Sequence, residues 1–185
     1  MDGLSLRTFP DDCLRKRTEP VTEFGKWLTD VLREMANIMY LNQGCGLAAP
    51  QVGLDKNIFV TDVDDDLCFF VNPEIVERSA DLEAMDEGCL SLPGVTVRVK
   101  RPARIRIQAQ DSNGTSFFRD LDGLAARAAQ HEYDHLNGRL IIDNLNPIQG
   151  FIAKKKLMNI KASADGAIRT CEVVCNARKK DRGRT

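Results

Sequence analysis

The segment Gln130-His131-Glu132-Tyr133-Asp134-His135 holds the only two histidines in the chain, four residues apart, with a carboxylate between them. On an α-helix, side chains at i and i+4 share a face with Cβ atoms about 5–6 Å apart. Two imidazoles in that relation can reach one metal ion, and Glu132 is placed to act on a water beside it. A surface helix whose polar residues are merely solvated is the plain alternative. The surrounding residues support a helix in either case. Leu124, Ala128, His131 and His135 recur at helical spacing from about Asp122, and Asn137-Gly138 supplies a stop.

The whole chain bounds what such a site can belong to. At 185 residues it fits one domain, 1–185, with a sizeable core and no length for a second. A hydrophobic content of 43% with a formal net charge of −1 gives no global signal for nucleic acid or membrane, so partners must be read locally. No apolar run approaches the ~18–20 residues of a membrane span. Met1-Asp2-Gly3-Leu4 lacks the basic and apolar regions of a secretory leader. The expected address is the cytoplasm, or an organelle if a targeting segment has been removed. The cysteines Cys13, Cys45, Cys68, Cys89, Cys171 and Cys175 are irregularly spaced in a chain too long for a disulfide-stapled scaffold, and read as reduced thiols.

Ahead of the histidine helix the pattern is one helix followed by sheet. Trp27/Leu28, Val31/Leu32, Met35 and Ile38/Met39 form a stripe that predicts a helix over 22–42, with Thr22 as N-cap and Gly44 as stop. Gly44-Cys45-Gly46-Leu47-Ala48-Ala49-Pro50-Gln51 is too small-sided and too punctuated for a helix. Strands are expected over 56–62 and 67–72, joined by an Asp64-Asp65-Asp66 turn that reads as solvated rather than cation-binding, with Pro73 ending the second. Segments 74–78 and 82–85 suggest a short hairpin. Val95-Val97-Val99, Ile105-Ile107 and Phe117-Phe118 suggest further antiparallel strands. Segment 140–145 reads as a strand or extended stretch, 148–160 as a third helix, and 171–175 as mildly strand-like. Residues 178–185 carry five basic side chains and one acidic, with no apolar anchor.

Three segments, taken together and in this order, resemble peptide deformylase: Gly44 to Gln51 as quoted, Glu87-Gly88-Cys89-Leu90-Ser91, and Gln130-His131-Glu132-Tyr133-Asp134-His135-Leu136. Weaker similarity runs from about Leu6, through Leu14-Arg15 and Pro20-Val21, to about Leu145, leaving out the tail. The resemblance implies an α+β fold, with antiparallel β-sheets packed around a central metal-binding α-helix. It also implies metal-dependent hydrolysis of the N-formyl group from the initiator methionine of new polypeptides, releasing formate.

Proteases with the same histidine motif commonly take a third ligand downstream, where this chain has no histidine. The resemblance gives that place to Cys89, whose other reading is a buried small apolar residue. Cys89, His131 and His135 would then hold one divalent ion with a fourth position left for water. The ligand set suits several ions, and resemblance to the family implies Fe²⁺ as the native one, with Zn²⁺, Ni²⁺ or Co²⁺ as substitutes.

By the same resemblance Glu132 moves the proton, the side-chain amide of Gln51 and the backbone N–H of Leu90 face the oxyanion, and Gly46 serves the substrate's approach. The pocket for the methionine side chain falls to Gly44, Cys45, Leu124 and Ala128, although Leu124 and Ala128 read equally well as core. Glu87, Asp134 and Arg101 are candidate supports for the ligands, or else exposed charges. Two positions depart from the family pattern: Cys45 stands where an aliphatic residue is usual, and Thr96 where an aromatic residue or arginine is. A zinc endopeptidase and a peptide-binding protein without turnover are the competing classes. The upstream position of Cys89 argues against the first, the presence of Glu132 and Gln51 against the second. The basic tail from about 178 is a solvated end or a contact to ribosomal RNA. Oligomeric state has no signature in the sequence.

Overall fold

The structure, a computed structural model, describes residues 3–162. Helix α1 spans Lys26–Leu41 and buries Leu28, Val31, Leu32, Met35 and Met39 along one face. It starts later than the expected Thr22, because Gly25 turns the chain with φ of +117° immediately before the first turn. Trp27, placed in the stripe by its spacing, is 38% exposed and lies at its edge. The left-handed residue at the C-terminus is Gln43, φ +56°, rather than Gly44. Gly44 is needed for another reason: a Cβ there would come within 2.8 Å of Leu90 Cδ1.

Strands β1 (Gly46–Ala48), β2 (Ile58–Val63), β3 (Asp66–Arg78), β4 (Leu82–Gly88), β5 (Thr96–Pro102), β6 (Arg104–Gln110) and β7 (Ser116–Asp122) divide between two antiparallel sheets. One is five-stranded in the order β1-β2-β3-β6-β7; the other is the β4-β5 pair. The expected turn between β2 and β3 is present, with Asp64 and Asp65 both at positive φ, as a tight hairpin requires.

Two strand expectations are corrected. Pro73 does not end β3, because the ladder with β6 shifts register between Val71 and Glu74, and a proline without an N–H is tolerated in such a bulge. Nor do 74–78 and 82–85 form a hairpin. The first pairs with β6 and the second with β5, so the chain changes sheets between them.

Helix α2 (Gly123–Leu136) packs a face of alanines against the larger sheet. Ala126 and Ala129 are fully buried with Phe59, Phe70 and Ile107, whose bulk demands small partners. The opposite face carries the two histidines. Segment 140–145 is not a strand: Ile141–Asn144 is a 3₁₀ turn, in which the Asp143 side chain accepts from Leu140 N at 2.9 Å. Helix α3 (Pro147–Ala162) follows as expected. The architecture is α+β. Among the described residues, no helix is long and apolar enough to cross a membrane. The expected strand over 171–175 and the basic segment from 178 lie outside the described residues.

Candidate active site

His131 and His135 project from successive turns of α2, and Cys89 comes from the segment that follows β4. One donor atom from each lies within 4.8 Å of the others. Cys89 Sγ is 3.2 Å from His135 Nε2. Water is largely excluded, with Cys89 4% exposed, His135 1% and the His131 side chain 11%. His131 Nδ1 is 3.0 Å from Glu87 Oε2; in the neutral ring that donates to this carboxylate, Nε2 keeps its lone pair for an ion.

The residues present fit a divalent ion. A thiol and two imidazoles are the donor set of a three-ligand catalytic centre with a fourth position open. Beside them, Glu132 Oε2 and His135 Nδ1 are buried and have no hydrogen-bond partner among the described residues. Burial pushes the Glu132 pKa up to about 7, poising it to gain or lose a proton near neutrality. Burial disfavours the charged form of both histidines. For His131, hydrogen bonds to Cys89 and Glu87 outweigh it and raise the pKa well above the imidazole value. For His135, burial and the neighbouring His131 lower it.

Gln51 lies in the 3₁₀ turn Ala49–Val52 and is 1% exposed. Its Oε1 accepts from Ala48 N at 2.8 Å, which orients Nε2 to within 3.6 Å of Cys89 Sγ and 3.2 Å of Ser91 Oγ. Leu90 sends its side chain into the core under α1, while Cys89 belongs to a second core with Leu92 and Val97. The backbone between them is thereby fixed at the site. Gly46 abuts Glu132: a Cβ there would be 2.9 Å from both Cγ and Cδ of that side chain.

The sequence pattern of the family described as polypeptide deformylase matches residues 4–150. The chain belongs to the polypeptide deformylase family. It is 44% identical over 161 residues to a peptide deformylase of Thermotoga neapolitana, covering 87% of this chain and 98% of the relative. The crystal structure of a peptide deformylase from Legionella pneumophila matches with a TM-score of 0.82 and 36% identity, over 86% of this chain and 96% of that one. A peptide deformylase from Thermotoga maritima matches with a TM-score of 0.76 and 44% identity, over 80% of this chain and all of that one.

In this deformylase chain the family's three segments meet around one cavity. Gly44, Cys45, Leu124 and Ala128 line it together with Cys89, His131 and Glu132. Thr96 opens β5 as an exposed residue paired with Gly88. Glu87, Arg101 and Asp134 are brought together: Arg101 donates to Glu87 through Nε (2.7 Å) and Nη2 (2.9 Å) and to Asp134 through Nη1 (2.8 Å). Burial works to raise the Glu87 pKa, but hydrogen bonds from His131 and Arg101 outweigh it and hold it at about 2.

Three residues escape the sequence reading. Ser91 is fully buried under the Gln51 amide, Met85 forms part of the cavity wall, and Arg127 donates to Glu87 at 2.6 Å. The available signal for Arg127 is a charge inside the alanine run Ala125-Ala126-Arg127-Ala128-Ala129.

Proposed function

We propose that this chain removes the N-formyl group from the initiator methionine of newly made polypeptides, using a divalent ion held by Cys89, His131 and His135. The carrying observation is that a buried thiol and two buried imidazoles converge beside Glu132, whose Oε2 has no other partner among the described residues. When bound, such an ion supplies Lewis acidity, polarising a carbonyl and lowering the pKa of water toward neutrality.

The chain's own groups do the rest. Glu132 takes a proton from the attacking water and delivers it to the amide nitrogen as the C–N bond breaks, so formate and a free amine leave. Gln51 Nε2 and the Leu90 N–H donate to the developing oxyanion, each such donor being worth about 10²–10³ in rate. Gly46 leaves room for the Glu132 carboxylate, and its bare backbone admits an extended peptide. Gly44, Cys45, Leu124 and Ala128 receive the methionine side chain. Formate release from formyl-Met-Ala-Ser, with no cleavage of the same peptide carrying an acetyl block, is the expected result. Peptide-bond cleavage without formate would refute the proposal.

Fe²⁺ is the native ion in this reading, supported by family resemblance, since the ligand set suits several ions and affinity order alone would favour zinc or nickel, with Zn²⁺, Ni²⁺ and Co²⁺ able to take its place. The chain acts as one catalytic domain in the cytoplasm, where initiator formyl-methionine is presented. The basic segment from 178 is a solvated end or, as the alternative, a contact to ribosomal RNA; in the second case truncation after Ala177 is expected to weaken salt-sensitive ribosome binding while leaving small-peptide turnover unchanged. Equal ribosome affinity of the two forms at low salt would remove that role.

A further inference from the structure

Arg127 has no part in the chemistry above, yet it is 6% exposed and its guanidinium joins three elements. From α2, Nη1 donates to Glu87 Oε1 at 2.6 Å and to Val99 O of β5 at 3.1 Å, and Nη2 donates to Glu83 O of β4 at 2.8 Å. Nε is buried without a partner among the described residues, so the two Nη groups carry the whole attachment. A guanidinium this far from water is tolerated only where its acceptors are fixed, and removing one member of such a cluster leaves an uncompensated charge.

The acceptors matter because of what they lead to. Glu87 Oε1 receives Arg127 and Arg101 Nε, while Oε2 receives Arg101 Nη2 and His131 Nδ1. Arg101 divides its donors between Glu87 and Asp134, and the Asp134 side chain is 29% exposed. Arg127 instead stands one turn before His131 on the same helix and grips both strands of the β4-β5 pair, whose first strand leads into Cys89.

We infer that Arg127 is a positioning residue of the metal centre, locking Glu87 against His131 and fixing the separation between α2 and the strand that delivers Cys89. The inference rests on the metal-hydrolase reading of the site. A wall of the methionine pocket is the competing role, because Arg127 also lines that cavity. The two roles differ in what a substitution moves: a wall residue changes substrate binding, whereas a positioning residue changes the hold on the ion.

Arg127→Met removes the charge and the fork at similar length. Arg127→Lys keeps the charge but cannot span all three acceptors. Full-length parent and variants are loaded with Co²⁺ without oxygen. Each is followed by the visible absorption of the bound ion, by the rate of Co²⁺ loss to a chelator, and by kcat and KM for formyl-Met-Ala-Ser. Arg127→Met is expected to shift the absorption bands, to lose Co²⁺ about 10–100-fold faster, and to lower kcat with KM within about two-fold; Arg127→Lys falls between. Unchanged bands and loss rates in both variants overturn the inference, and so does a defect confined to KM. If Arg127→Met does not fold, the same readouts on Arg127→Lys decide. A parent chain that binds Co²⁺ yet releases no formate overturns the hydrolase reading instead, and the bands and loss rates still judge Arg127.

Discussion

Gly46→Ala offers a direct test of how the catalytic carboxylate is held. The added Cβ would fall 2.9 Å from Glu132 Cγ and Cδ, and nearer still to Oε1. Carbon atoms in contact prefer about 3.5–4.0 Å, so something must yield by roughly 0.6–1 Å. The strand resists: Gly46, Leu47 and Ala48 pair with Thr61, Val60 and Phe59, and Leu47 and Ala48 are fully buried. The side chain must therefore move. Rotating the carboxylate cannot relieve a contact with Cγ, so Glu132 has to change χ1 and leave the ligands. An acid–base group contributes about 10²–10⁴ in rate. Gly46→Ala should accordingly lower kcat by at least about 100-fold, or about 2.7 kcal/mol of barrier. Overpacking should cost about 1–3 kcal/mol of stability. Metal content should stay at the parent level, since the atoms nearest the new methyl all belong to Glu132. Formate release, metal analysis and thermal unfolding on one preparation measure all three. A variant with kcat within about three-fold of the parent at equal metal content would refute the reasoning.

Glu132→Gln should keep the ion and lose nearly all formate release, because an amide preserves shape but carries no proton; near-parental turnover at equal metal stoichiometry would contradict it. The Fe²⁺ form should be the most active and should decay in air, since oxygen attacks both the ion and the thiolate of Cys89; a Zn²⁺ form of equal kcat/KM would defeat the iron assignment. Asp143 receives Arg15 Nη1 and Nη2 at 2.6 and 3.0 Å. Burial acts to raise the Asp143 pKa, but the Arg15 and Leu140 N–H bonds prevail and lower it. Its stabilisation is thus present above the unfolded pKa of about 3.9 and fades as pH falls through the lower folded value. Asp143→Asn should therefore lower Tm near neutrality and converge on the parent in strong acid, and an unchanged Tm near neutrality would count against the pair.

What is legible in the sequence is what is local. Histidines four residues apart, the stripe of α1 and the aspartate turn each declare themselves within a few residues, because helical and hairpin periodicities are short-range. Strand partners are not local. Segments 74–78 and 82–85 look like the arms of a hairpin, but the first pairs with β6 and the second with β5, and Pro73 is absorbed by a bulge set from β6. Ile141 and Ile142 are consecutive and both buried, a pattern that alternation cannot produce and that the 3₁₀ turn explains. Arg127 is hidden for the same reason: its acceptors at positions 83, 87 and 99 lie on other elements, so in sequence it resembles a solvated charge on a helix.

The distribution of unpaired polar atoms says most about how the site works. Around it nearly every group is tied down: Gln51 Oε1 by Ala48, Glu87 by Arg101, Arg127 and His131, and the two loops by the N-terminal segment, where Arg7 N bonds Gln51 O at 2.7 Å and Phe9 N bonds Ser91 O at 2.9 Å. A buried polar atom left without a partner costs about 1–3 kcal/mol, so such atoms persist where something else uses them. Glu132 Oε2 is one of them. Its residue lines the cavity beside Cys89 and His131, where a water must give up its proton. A second hydrogen bond there would hold the carboxylate more firmly and would also compete with the proton transfer. The fold therefore seats Glu132 against the bare backbone of Gly46, with a backbone hydrogen bond from Ala48 to its carboxylate, and leaves Oε2 without a partner among the described residues.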